Sequence, residues 1–246
     1  MAPSITRVTL FVPGTPNSAN AWSSALSRHG LHFDRGVLQG DGLDAAAQVD
    51  WIDNDGEFGN AFSFGTVPPQ VIEALHNAPG ALVLHWPVDL RERRREILGV
   101  VERLREVGAL AVQVEQSKVG WEVSRWLELF SDDDPWSWHR GAVAFMRHDN
   151  VLQSCGMHAF SLPDARATVD DEVQTLQTFA SLLNVYQLGE DPLLLSGQTF
   201  SPDRETPRRA VERWPHTGYP PEHACHNPYG GWRLGPPGGD ARASDQ

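Results

Sequence analysis

Apolar positions recur at Ile5, Val8, Leu10 and Val12, which predicts a first strand. Pro13-Gly14 and Pro16-Asn17 end it before a short helix around 19–27. From 30 to 65 Gly and Asp are frequent and no period is sustained, so this stretch reads as loop-rich, with Ala61, Phe62 and Phe64 as a strand candidate. Thr66, Pro68 and Pro69 then open a short helix with Val71, Ile72 and Leu75 on its apolar face, and Pro79-Gly80 stops it.

The clearest unit follows. A compact apolar run at 81–84 predicts a buried strand, Asp89 is placed to cap a helix from 90 to about 107, and Gly108 sits where a C′ glycine belongs. A second strand is expected at 109–114. Ile97, Val101, Leu104 and Val107 recur at helical spacing, so one face packs on a sheet while the arginines face away. This is a β-α-β unit, right-handed and parallel if both strands share one sheet.

In the second half, Val119, Val123, Trp126, Leu127 and Phe130 predict a helix over 119–130, followed by a loop at SDDDPWSW. Strands are expected near 142–146 and 151–160. Thr168 and Asp171 resemble a capping box for a helix bearing Val173, Leu176, Phe179, Leu183 and Tyr186, ended at Gly189. Beyond 201 the chain is dense in Pro, Arg, His and Gly, and the last residues, 235–246, read as a disordered tail. The expectation is an α+β protein: a mixed β-sheet with helices packed on it, containing at least one β-α-β unit, as a single domain over 1–234. Whether residues 1–79 form a separate unit stays open.

Composition narrows the classes of function. Of the 246 residues 40% are apolar and 21% charged, which suits a folded globular protein. No run approaches the roughly 18–20 apolar residues that cross a bilayer, and the first apolar run is too short for a secretory signal. Only Cys155 and Cys225 are present, so no disulfide framework is expected, although one bridge stays open, and a cytoplasmic location is expected. The net charge of −12 opposes general attraction to nucleic acid and would steer a basic protein partner toward the surface.

Candidate chemistry is sparse. His216, His223, Cys225 and His226 offer ligand types that zinc prefers, but His-x-Cys-His crowds three of them on one short segment, so no metal or cofactor is expected. Asp53-x-Asp55-Gly56 imitates part of a calcium loop with Trp51 and Phe62 at two required ligand positions. Gly40-x-Gly42-x-x-Ala45 imitates a dinucleotide fingerprint without the strand and helix that must flank it, and reads as a turn. Cys155 and His158 sit three apart in an expected strand and so face opposite ways. The arginines at 91, 93, 94, 95, 103 and 105 alternate with Glu92, Glu96, Glu102 and Glu106, the mark of a solvated helix face. The loop of Asp132, Asp133, Asp134, Pro135, Trp136, Ser137 and Trp138 is the best candidate for partner binding. It joins three carboxylates to the side chain most enriched at interface hot spots.

Three stretches, GMHAFSLPD at 156–164, LSGQTF at 195–200 and HNPYGGWRL at 226–234, resemble the bacterial family known as domain of unknown function 4261 over roughly 80–234. The resemblance transfers no site residues. It implies a bacterial cytosolic protein, similar in size and character to immunity proteins encoded beside secreted antibacterial toxins. The sequence therefore leads to an expected non-catalytic binding protein that neutralises a toxin, such as a basic nuclease effector of a type VI secretion system. The rivals are a hydrolase or transferase using unsignposted carboxylates or the His/Cys cluster, and a nucleic-acid-binding regulator using the arginine-rich helix.

Overall fold

The computed structural model describes residues 8–62, 65–169, 173–215, 219–221 and 223–237. Strand β1 (Val8–Gly14) is an interior strand of a seven-stranded sheet and is buried on both faces. Val8, Leu10 and Val12 enter the main core, while Phe11 points the other way into a second cluster with Phe58, Phe62 and Leu75. After helix α1 (Ala19–Ser27), capped by Ser18, the chain forms strands β2 (Leu31–Asp34), β3 (Val37–Gly40) and β4 (Ala47–Asp53). The stretch expected to be loop is thus a three-stranded meander. Its positive-φ turn residues Arg35, Gly36 and Gly42 supply the backbone geometry that tight hairpins need.

The short helix α2 (Phe58–Ala61) occupies part of the expected strand at 61–64, and Phe64 lies outside the described residues. Helix α3 (Pro69–Asn77) then leads into β5 (Gly80–Trp86), α4 (Arg94–Glu106), β6 (Ala111–Val114) and β7 (Val119–Glu122). The sheet order is β2-β3-β4-β5-β1-β6-β7. Both β5 and β6 pair antiparallel with β1, so they run parallel to each other with β1 between them: the β-α-β unit exists, in split form. Asp89 caps the turn leading into α4 by accepting from Glu92 N at 2.7 Å, and Ile97, Val100, Val101 and Leu104 are the buried stripe.

The expected helix at 119–130 divides. Residues 119–122 pair with β6 through a turn that places Lys118 at φ 61, and only then does α5 (Val123–Ser131) begin. The expected loop after it holds a helix, α6 (Pro135–Ala142).

A second, six-stranded sheet takes the remainder, so there are two sheets where one was expected. It contains β8 (Ala144–His148), β9 (Val151–Cys155), β10 (Asp164–Thr168), β11 (Gln198–Phe200), β12 (Arg209–Trp214) and β13 (Gly231–Pro237). The order is β11-β12-β13-β10-β9-β8, with β10 and β13 parallel and the other pairs antiparallel. Helix α7 (Val173–Glu190) covers one face, burying Leu176, Phe179 and Leu183 against Leu152, Ala165, Ala167, Val211, Trp232 and Leu234. Asp171 of the expected capping box lies outside the described residues, and Tyr186 of the expected buried stripe is 38% exposed. Strand β13 runs three residues past 234, and 238–246 lie outside the described residues.

The two sheets are joined by more than the chain. Strand β9 stops at Gly156, whose φ of 125° and whose approach to Ala142 leave no room for a Cβ. The 3-10 turn Met157–Phe160 that follows is inserted into the core of the first sheet, where Ala159 O accepts from Leu90 N at 2.8 Å.

Candidate functional site

The Asp-Trp segment is built as a helix start. Asp134 is the N-cap of α6, accepting from Trp136 N at 3.1 Å and from Ser137 Oγ at 3.2 Å, with Pro135 at the first helical position. Arg94, reaching across from α4, organises the rest. It pairs with the Asp133 carboxylate, donates to Asp132 O at 3.1 Å, and lies 4.2 Å over the Trp138 ring. Trp138 Nε1 donates to the same Asp132 carbonyl at 2.7 Å. The hydrogen bond and charge of Arg94 hold the Asp133 carboxyl below its usual value. The five residues expected to bind a partner therefore divide. Asp133, Asp134 and Trp138 work within the molecule, while Asp132 and Trp136 are exposed, Trp136 with its ring set edge-on to His139.

A larger feature lies beside Pro135. Pro135 packs against Gly189 of α7, and beside this contact a groove of about 830 Å³ runs between α7 and β11. Pro135, Leu182, Tyr186, Leu194 and Phe200 supply its apolar walls, and Glu190 lies on its rim. Phe200 is wedged between Phe179 and Tyr186, with ring centroids 5.5 and 5.7 Å away, which fixes the floor. The large apolar side chains exposed among the described residues are Ile52, Trp136, Tyr186, Leu193 and Leu195. All but Ile52 line this groove or adjoin a lining residue: Trp136 follows Pro135, and Leu193 and Leu195 flank Leu194. Tyr186, Leu193 and Leu195 were missed from the sequence. Three consecutive leucines after Pro192, beyond the helix-ending Gly189, were the available signal.

The titratable groups with displaced proton affinities lie elsewhere, inside the protein. Asp164 is 1% exposed, and burial pushes its carboxyl up to about 7 although Ser154 Oγ, Met157 N and Asn227 Nδ2 all donate to it. Burial pushes His139 and His158 down to about 4, so both imidazoles are neutral at pH 7. His158 Nε2 faces Ala224 O at 3.1 Å. Cys155 ends β9 rather than sharing a strand with His158, and its thiol donates to Gln116 O at 3.0 Å and is hydrogen-bonded to Cys225. That bond and its burial push the Cys155 thiol up. The two cysteines, distant in sequence, thus meet as buried thiols.

The remaining motifs are occupied by local structure. His216 of the His/Cys cluster lies outside the described residues. His223 stacks on Tyr219 and accepts from Cys225 N, His226 Nδ1 faces Tyr219 O, and no group of three ligating residues converges among the described residues. Asp53 accepts from Trp51 Nε1 and Asp55 from Glu57 N, as turn residues do. Gly40 and Gly42 form the bend after β3. On the arginine-rich face Arg91, Arg93 and Arg94 pair with Asp191, Asp44 and Asp133, which removes most of the local positive charge. No described helix is long and apolar enough to cross a membrane. Comparison with family models, with curated proteins and with solved structures gives no match to this chain.

Proposed function

We infer that this protein works by binding another protein through the face formed by Trp136, the α7–β11 groove and the leucines at 193 and 195. One observation carries this reading: the groove has apolar walls with exposed Tyr186 among them, and exposed Trp136, Leu193 and Leu195 each adjoin one of its lining residues along the chain. Exposed Leu193, at 85%, is costly to leave in water and valuable as an anchor. An acidic group, Glu190, stands on the groove itself. Together with the net charge of −12 it favours a basic partner that carries an apolar anchor.

The biological role that suits such a surface, together with the three stretches resembling domain of unknown function 4261, is cytoplasmic immunity: capture of a basic bacterial toxin domain, such as a nuclease effector. Coexpression with the product of the neighbouring reading frame tests it. The expected result is toxicity of that product alone, rescue by this chain, and copurification of the two. A toxic neighbour that is neither rescued nor copurified removes the immunity role.

The buried groups support the same reading. Asp164, His139 and His158 have the displaced proton affinities that often mark catalysis, yet each is buried and engaged in fold-internal hydrogen bonds.

A further inference from the structure

The face of the second sheet that turns away from α7 carries an unbalanced charge. Strand registers place Met146, Gln153, Arg166, Arg233 and Glu212 in one row across five strands. By alternation this row points away from Leu152, Ala165, Trp232 and Leu234, which pack under the helix. Two arginines therefore stand side by side with one carboxylate, and Glu212 pairs with Arg233. Among the described residues Arg166 has no carboxylate and no hydrogen-bond acceptor; its guanidinium carbon lies 4.8 Å over the Trp214 ring. The other described arginines without an acceptor, Arg28, Arg35, Arg95, Arg140, Arg204 and Arg208, are all exposed, whereas Arg166 is half-buried. Burial and the neighbouring Arg233 both act against its charge.

Arg166 also borders a concavity of about 540 Å³ over β8, β9 and β10. Met146 and Val151 give this hollow apolar walls, Gln153 and Tyr219 add polar ones, and the β8–β9 hairpin brings Arg147 and the exposed carboxylate of Asp149 to its lining. A half-buried guanidinium beside a second arginine is electrostatically unfavourable until an anion joins it. The Trp214 ring gives the guanidinium a cation–π contact, which leaves its N–H fork free to meet a carboxylate or phosphate. We propose that this hollow is a binding site for a small amphipathic anion, a carboxylate or phosphate monoester on an apolar group, with Arg166 holding the anionic end and Met146 and Val151 covering the apolar end. The site lies on the second sheet's open face and does not depend on the protein-binding reading.

Phenyl phosphate, benzoate, inorganic phosphate and benzylamine are the probes, titrated into the full chain and followed by NMR chemical shifts and calorimetry. Phenyl phosphate is expected to bind saturably, inorganic phosphate more weakly, and benzylamine not at all. Shifts should centre on Gln153, Arg166 and the Trp214 indole. Arg166→Gln should weaken phenyl phosphate by at least about tenfold, Arg166→Lys by less, and the exposed control Arg140→Gln not at all. Absence of saturable binding to the unmodified chain overturns the proposal, as does an equal loss in the Arg140 control, which would indicate diffuse charge attraction. If Arg166→Gln does not fold, Arg166→Lys and the location of the shifts decide: shifts confined to another surface reject the site.

Discussion

Asp164 shows how burial can outweigh several favourable hydrogen bonds at one residue. Three donors aim at its oxygens and favour the carboxylate, yet complete removal from water prevails and its folded-state value is about 7. An unfolded aspartate titrates near 3.9, so the folded protein holds this proton more tightly than the unfolded chain does. Its contribution to stability is therefore full below about pH 4 and is lost as pH rises through about 7. Urea unfolding followed across that window should show a shallower pH dependence in Asp164→Asn than in the unmodified protein; parallel slopes would show that the group does not titrate there. Asn227 binds both Asp164 and Leu162 O, and it accepts from Tyr229 N. Asn227→Ala leaves buried polar groups unmatched and is expected to cost about 1–3 kcal/mol in chemical denaturation.

Among the elements, those with an unambiguous period were legible in the sequence and those defined by a distant partner were not. Strand β1, the β5–α4–β6 unit and the buried stripe of α7 declare themselves because each has a continuous apolar face. Strands β2 to β4, on one side of the first sheet, bury few side chains, so they leave only a weak pattern. Residues 119–122 fit both a helical and a strand spacing, and pairing with β6 decides between them. In the Asp-Trp segment the composition was readable, but Arg94, which engages Asp133 and Trp138, lies nearly forty residues earlier. The helix within that segment makes its own test. Removing the N-cap by Asp134→Ala should cost about 1 kcal/mol without changing the oligomeric state, measured by thermal melting and light scattering. At the end of β9, Gly156→Ala introduces a Cβ 2.1 Å from Ala142 O at a φ of 125°. Destabilisation above about 2 kcal/mol is expected by urea titration, because the strand end and the following turn must both move.

At the scale of the molecule, the surface separates into regions with different tasks. The arginine-rich face is neutralised by its own carboxylates, while the α7–β11 side keeps apolar side chains in water. Replacing both Leu193 and Leu195 by Asp removes exposed anchors and should leave the melting temperature near that of the unmodified protein while abolishing copurification with the partner. Retained capture by the folded double variant would move the binding face elsewhere. The turn Met157–Phe160 has a further effect at this scale. A segment flanked by strands of one sheet fills the core of the other, so the first core cannot stay closed once the second sheet releases that segment. Hydrogen exchange in the amides of β1 and β5 in the first sheet and in those of α7 over the second should report one transition at one denaturant concentration. A partner grasping the α7 side would then raise the resistance of the whole chain to proteolysis, including strands far from the point of contact.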